Sequence, residues 1–284
     1  MNDSTSTVAV LGMGLLGKGF AENLLTKGHA VRVWNRTASR CAPLVEKGAT
    51  AGATPEETVR GASRVHLVLA EDAAVDSVID ALRPGLSDGA FIVDHSTNLP
   101  AGVASRFTRL RAAGIRYIHA PVFMGPSNSR DATGLMLLSG LTEDEAALRP
   151  LLEKMTGRVV YLGTEPDKAA KMKLTGNGLL IMLTAAMGDL FRMGAASGVS
   201  TDEILALFDQ FTPTAAGMGR RALGSGAHPP SFELAMARKD VRLMVETAGK
   251  TMLTVLPAIA AAMDEAIAAG RGAEDFSTIA DPKR

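Results

Sequence analysis

The sequence predicts an α/β amino-terminal half, residues 1–164, built on a parallel sheet, followed by an all-α half, residues 165–284. Three observations carry this. Short β-branched or aliphatic runs alternate with helical stretches through the first half, as strand-helix-strand units do. A glycine-rich turn links the first such run to the first helical stretch. From about Pro166 onward the strand signal vanishes, and long Ala/Leu/Met/Gly segments of helical period take over.

In chain order, strands are expected at Val8 to Leu11, Ala30 to Trp34, Val65 to Leu69, Phe91 to Asp94 and Tyr117 to Ala120, with helices such as Gly19 to Thr26 and Ala74 to Leu82 between them. A last strand, Arg158 to Leu162, gives way to Asp167, a good helix N-cap. Breaks in the helical half fall near Gly198, Pro213, Pro229 and Pro257.

Between the first strand and its helix lies Gly12-Met13-Gly14-Leu15-Leu16-Gly17, a GxGxxG pattern. Alone it is a weak signal. Here it sits in a βαβ unit whose second strand ends roughly 20 residues on, the context of a Rossmann dinucleotide-binding domain. Gly12 then permits the tight turn, Gly14 lets the backbone approach a pyrophosphate, and Gly17 allows close packing of helix on strand. The helix N-terminus supplies amide donors to the phosphates. The competing reading is a glycine turn that binds nothing.

At the end of the second strand, where an Asp or Glu usually holds a free 2′-hydroxyl, the chain has Asn35-Arg36-Thr37, with Arg40 one turn on. A guanidinium and a hydroxyl suit a 2′-phosphate. NADP(H) is therefore expected in preference to NAD(H), which stays usable. The bland reading of Arg36 is an ordinary solvated charge.

Of 284 residues, 46% are hydrophobic and 21% charged, enough to bury a core in one large or two modest domains and too apolar for disorder. Thirty basic and thirty acidic side chains cancel, so no global attraction to nucleic acid or anionic membrane exists, and a small-molecule partner is expected. The single cysteine, Cys41, cannot close an intrachain disulfide and fits a reducing compartment. The opening MNDSTST lacks a signal-peptide layout, and no run reaches the roughly 18 apolar residues of a spanning helix, so a cytoplasmic location is expected. Aromatics are only 4%, whereas nine of the 14 methionines fall from Met172 onward, where flexible thioethers can fill helix-helix gaps. His29, His66, His95, His119 and His228 show no zinc-ligand spacing, so no metal site is expected. Ser96 lacks a nucleophile elbow, which disfavours serine-hydrolase chemistry.

At about 100° per residue, Ala169, Lys173, Gly176, Asn177, Leu180, Thr184, Met187 and Phe191 lie within about 60° of one line along the helix that follows Asp167. Lys168 and Lys171 point about 140° to 160° away, as solvated lysines should. A solitary lysine on a small apolar face, with Asn177 one turn along, calls for an anion or a reaction. The alternative is a lysine that snorkels to water from a partly covered face.

The chain resembles the β-hydroxyacid dehydrogenase family, which includes 3-hydroxyisobutyrate dehydrogenase and tartronate semialdehyde reductase, with 6-phosphogluconate dehydrogenase more distant. Gly12 to Arg36 is similar to the family's opening pattern. Asp94-His95-Ser96-Thr97-Asn98-Leu99-Pro100 resembles its DxSTxxP segment. Ala120-Pro121-Val122 begins its substrate loop, Lys173-Leu174-Thr175-Gly176-Asn177 reproduces KxxxN, and Phe232 to Val241 resembles F…KDL. Five motifs in order span nearly the whole length.

The resemblance implies NAD(P)-dependent interconversion of a small 3-hydroxy acid and its semialdehyde or a similar carbonyl, in a cleft between the two domains. It implies that Lys173 is the proton donor and acceptor, with Asn177 hydrogen-bonding the substrate and Ser96 facing it. A lysine in that role would have its pKa lowered by burial. The resemblance further places Thr97 on the nicotinamide side of the cofactor, Lys239 beside the cofactor, and Leu69 and Ala70 against its ribose, although the family usually has proline where Ala70 stands.

After Ala120-Pro121-Val122 the family reads SGG, a cradle for the substrate carboxylate; this chain reads Phe123-Met124-Gly125-Pro126-Ser127-Asn128. Either Ser127, Asn128, Ser129 and Arg130 replace that cradle, or the substrate is larger or less polar. Phe123 and Met124 shape a substrate wall or merely pack the loop. Ala132-Thr133-Gly134 also departs from the family's GTL order. Val33 to Thr37, reading VWNRT, is similar to the opening of imine reductases, whose usual residue at the position of Lys173 differs. A non-catalytic nucleotide-binding or oligomerisation module is the third reading, and loss of the lysine would be its mark. The helical half is expected to mediate a homodimer.

Overall fold

The computed structural model describes residues 6–224 and 229–281, so His228 lies outside the described residues. Val8, Ala9, Val10 and Leu11 are fully buried, as a central strand covered on both faces must be. They belong to β1 (Thr7–Leu11). Val8 and Val10 pack with Phe20 and Leu24 on one face, while Ala9 and Leu11 pack with Ile79 and Leu82 on the other, the alternation that the strand period imposes.

β1 lies inside a six-stranded sheet with β2 (Ala30–Trp34), β3 (Thr50–Ala51), β4 (Arg64–Leu67), β5 (Phe91–Asp94) and β6 (Arg116–His119), in the order β3-β2-β1-β4-β5-β6. All five pairings are parallel. The crossovers carry α1 (Leu15–Thr26), α2 (Ala42–Val45), α3 (Pro55–Val59), α4 (Asp72–Leu82) and α5 (Pro100–Ala112). Strand order reverses between β1 and β4, so the chain leaves their carboxyl ends in opposite directions and opens a crevice there.

Sequence boundaries shift slightly. The expected strand at Val65 to Leu69 ends at Leu67, because the Leu69 amide turns to a side chain instead of a neighbouring strand. β3 is only two exposed residues and carries no periodicity to read. A second sheet was legible only in part: β7 (Val122–Phe123), β8 (Leu135–Leu138) and β9 (Arg158–Tyr161), the last being the strand expected at Arg158 to Leu162, with β7 antiparallel and β9 parallel to β8. β8 is an uninterrupted apolar run, which period alone cannot assign. Between these strands lie α6 (Pro126–Asp131) and α7 (Thr142–Leu152).

The chain divides into two compact units, Met1–Lys173 and Leu174–Arg284. The helices from this point on are α8 (Lys168–Ala196), α9 (Thr201–Phe211), α10 (Pro213–Leu223), α11 (Leu234–Ala248) and α12 (Leu256–Ala266). Pro213 and Pro257 stand in the first turns of α10 and α12, where a missing N–H leaves no bond unmade. They start helices, and Gly198, at φ +80°, follows the end of α8. By length and composition α8 could cross a membrane, its most apolar window having a mean hydropathy of 1.4. Within the second unit that apolarity has a local use, since Met187 and Phe191 pack with Leu205 and Ala216. The methionines divide: Met187, Met244 and Met263 are buried, whereas Met193 and Met252 are exposed. Gap filling therefore explains only part of their enrichment.

Candidate active site

The turn after β1 is built by exclusion. Gly12 has φ +104°, and a Cβ on it would come within 2.1 Å of the Val68 carbonyl oxygen. A Cβ on Gly17 would come within 1.9 Å of the Gly12 carbonyl oxygen. Neither position can carry a side chain while β1, β4 and α1 keep their places. Gly14 differs, because a Cβ there would meet nothing within 4 Å. Open space over a backbone that begins α1, with no acidic residue in its first turn, is what a phosphate group needs. Met13 is buried and its amide donates to Asn35 Oδ1 at 3.0 Å, which ties the glycine turn to the end of β2. Asn35 Nδ2 in turn donates to the Thr37 carbonyl at 2.9 Å. Leu15 is exposed and Leu16 half-buried.

Arg36, Thr37 and Arg40 are exposed just beyond β2. Among the described residues no carboxylate lies within ion-pair distance of Arg36 or Arg40. The donors and the open space fit a dinucleotide.

The segments after β4 and β5 are joined to each other. Leu69 N–H donates to Ser96 Oγ at 2.9 Å, with Leu69 half-buried and Ala70 exposed. Asp94 organises the second segment: Oδ1 accepts from Ser96 N–H at 2.9 Å, and Oδ2 accepts from Asn98 Nδ2 at 2.8 Å and from the Tyr117 hydroxyl at 2.9 Å. Arg106, fully buried, stands 3.7 Å from the same carboxylate and also binds Asp72 and Asp76. Of residues 94–98 only Thr97 is not buried. Ser96, at 2% exposure, is a link between the two segments.

Beneath them lie three buried histidines. His95 Nδ1 donates to the Ala120 carbonyl at 2.7 Å, so its Nε2 accepts from His66 Nδ1 at 2.9 Å. His119 Nε2 donates to the Ser96 carbonyl at 3.0 Å. Burial lowers all three pKa values, that of His95 to about 4 despite the opposing Ala120 hydrogen bond and Asp94 charge. They are neutral at physiological pH, and their bonds to one another and to backbone make them structural supports. Burial likewise pushes the Tyr117 phenol well up, helped by the adjacent Asp94 charge. Among the described residues no group of three His, Cys, Asp or Glu is placed to hold a metal ion.

Lys173 ends the first unit, buried at 8% exposure. Its Nζ donates to the Val122 carbonyl at 2.7 Å and stands 4.1 Å from the centre of the Phe123 ring. The lysine does not snorkel to water. Lys168 and Lys171 do face solvent, paired with Glu165 and Asp167. Met124 packs on the core of the first unit, close against Gly134, so it serves the loop. The Gly125 amide donates to Asn128 Oδ1 at 2.8 Å, and Ser129 Oγ donates to the Pro126 carbonyl at 2.9 Å.

In the second unit Asn177 Nδ2 donates to Asp240 Oδ2 at 2.6 Å, and Lys239 Nζ lies 2.7 Å from Asp240 Oδ1. Asp240 is 1% exposed. Its bond from Nδ2 fixes which way the Asn177 amide faces. The family resemblance placed Lys239 beside the cofactor, but sequence reasoning missed Asp240, as it missed the roles of Asp94 and the histidines. Their positions at the carboxyl ends of adjacent strands, with Asp94 in register beside His119, were the available signal.

Residues 7–163 match the family described as the NAD binding domain of 6-phosphogluconate dehydrogenase. Glyoxylate/succinic semialdehyde reductase 1 of Arabidopsis thaliana is 29% identical, over 96% of this chain and 96% of the relative. The 3-sulfolactaldehyde reductase of Escherichia coli (strain K12) is 28% identical, over 98% of this chain and 96% of that one. The structure of Mycobacterium tuberculosis 3-hydroxyisobutyrate dehydrogenase superposes with a TM-score of 0.87 at 20% identity, covering 97% of this chain and 98% of the other, a likeness of fold. Glycine turn, DxST segment and buried lysine occur together in a chain matched along its whole length, and the protein belongs to the β-hydroxyacid dehydrogenase family of NAD(P)-dependent oxidoreductases, with the NAD-binding domain of the 6-phosphogluconate dehydrogenase type.

Proposed function

We propose that the protein is an NADP(H)-dependent reductase that interconverts a small hydroxy compound and its aldehyde or ketone, with Lys173 as general acid and base. The observation that carries this reading is a buried ammonium, Lys173 Nζ, held 2.7 Å from the Val122 carbonyl. When bound, the nicotinamide supplies or accepts the hydride. Lys173 Nζ gives its proton to the carbonyl oxygen as negative charge develops there, and takes it back in the reverse direction. The Val122 carbonyl and the Phe123 ring hold that ammonium at rest, so the proton donor is oriented before substrate arrives. Asn177, its amide fixed by Asp240, would hydrogen-bond the substrate hydroxyl one helical turn from Lys173. Gly14 and the first amides of α1 would hold the pyrophosphate, Thr97 would lie on the nicotinamide side, and Arg36 and Arg40 would neutralise a 2′-phosphate. The names of the relatives, reductases of short aldehydes that carry an acid group, support the reaction class. A homodimer through the helical unit is part of this reading, and light scattering at micromolar concentration tests it. The decisive experiment is Lys173→Ala: turnover of the best carbonyl with NADPH is expected to fall by about 100-fold to 10,000-fold while NADPH binding and the circular-dichroism spectrum persist. Near-normal turnover would refute the assignment.

A further inference from the structure

We infer that Phe123 sets substrate choice, and that the carbonyl compound bound beside Lys173 carries an apolar chain or ring in place of a small carboxylate. This deepens the proposed reduction and rests on it. Lys173 Nζ has the Phe123 ring 4.1 Å away and the neighbouring Val122 carbonyl 2.7 Å away. One residue thus places an aromatic face against the proton-donating atom, and a substrate whose carbonyl oxygen reaches that atom brings its nearest substituent alongside the ring.

The rest of the loop has little to offer an anion. The Gly125 amide, the first glycine amide after β7, is bonded to Asn128 Oδ1 at 2.8 Å. Asn128 Nδ2 is bonded to Thr133 Oγ1 at 2.9 Å, and Ser129 Oγ donates within the turn to the Pro126 carbonyl at 2.9 Å. Arg130 is exposed and paired with Asp131. Of the residues that could have replaced a carboxylate cradle, Asn128 and Ser129 use their polar atoms to shape α6, and Ser127, like Arg130, is exposed. Met124 is turned onto the core and Gly134, so Phe123, half-buried, is the side chain of the loop that faces the lysine. A carboxylate placed there would compete with the carbonyl oxygen for the Lys173 ammonium and otherwise meet an aromatic face, the Gly125 amide being already bonded, whereas an apolar group would lose nothing polar and gain contact with the ring.

The test compares two aldehydes with NADPH, phenylacetaldehyde and succinic semialdehyde, in the wild type, Phe123→Leu and Phe123→Ser. The wild type is expected to favour phenylacetaldehyde at least tenfold in kcat/KM. Phe123→Leu should keep most of that preference, and Phe123→Ser should shift the ratio at least tenfold toward the semialdehyde. A second measurement avoids turnover: calorimetric binding of phenylacetamide and of succinate to the NADP+-loaded protein, with the amide expected to bind the wild type more tightly and Phe123→Ser to lose that difference. A wild-type preference for succinic semialdehyde and succinate, or ratios that agree within threefold across the three proteins, would overturn the inference. Absence of turnover on both aldehydes with the binding preference intact would instead overturn the reduction and uphold the apolar wall.

Discussion

Acidification from pH 8 to pH 5 is expected to weaken folding through the histidines under the β4 and β5 segments. His95 has its pKa lowered by burial to about 4, against about 6.5 in an unfolded chain. A histidine whose folded value is depressed destabilises on the acid side: above pH 6.5 neither state binds the proton, and below it the unfolded chain does so first. The loss grows between about pH 6.5 and pH 4 and is complete below the folded value. For His95 alone it amounts to about 2 kcal/mol at pH 5 and about 3 kcal/mol at full extent. His66 and His119 are shifted the same way by burial and deepen the loss. Urea titrations at half-unit pH intervals, read by circular dichroism, measure it directly. His95→Met removes one titrating group, and although it sacrifices the Ala120 and His66 bonds, its stability should fall less steeply between pH 6.5 and pH 5. Wild-type stability that is flat across this window, or a variant with the same slope, would refute the reasoning.

Three further outcomes are expected. Ala132, in the left-handed region at φ +52°, should be improved by Ala132→Gly, which relieves about 1 kcal/mol of backbone strain, offset in part by glycine's unfolded-state entropy; thermal melts should rise by about 1 to 3 °C. Arg36→Ala should weaken NADPH binding at least tenfold, the worth of about 1.5 kcal/mol or more of charge-assisted bonding, and leave NADH binding unchanged, as fluorescence titration would show. Asp240→Asn removes the charge that binds Asn177 and Lys239; kcat on the best carbonyl should fall about 10-fold to 100-fold with the fold retained, and unchanged kcat would show that the Asn177 orientation is irrelevant to turnover.

What the sequence disclosed and what it hid follow one physical division. Local signals were readable: the glycines, because turn and helix packing forbid a Cβ at Gly12 and Gly17; the apolar strands of the main sheet; and the change to helical period. Lys173 was readable because a lone cation on a small apolar face violates the usual pattern. Contacts between distant segments were not. Nothing in the spacing of His66 and His95 announces a hydrogen bond across two parallel strands, and nothing in the order of Asn128 and Gly125 tells that one will occupy the other's amide. In the second sheet Arg158–Tyr161 was readable, but its short partner was lost for the same reason, since Val122–Phe123 becomes a strand only when Leu135–Leu138 lies beside it.

The closeness of Gly12 to Val68 has a kinetic meaning. The phosphate-binding turn takes its shape from the end of β1 pressed against the chain leaving β4, and those segments are joined through the whole of the first three crossovers. Until β4 docks, Gly12 is held only by the hydrogen bond from its amide to the Trp34 carbonyl of β2 at 2.9 Å and lacks the Val68 contact that excludes a side chain there. Dinucleotide affinity is therefore acquired late, when long-range parallel pairing, the slow part of folding such a sheet, is complete. Cofactor binding discriminates between finished and unfinished molecules: it draws the finished ones out of the folding equilibrium by mass action and gives nothing to intermediates that hold only the first hairpin of strand and helix.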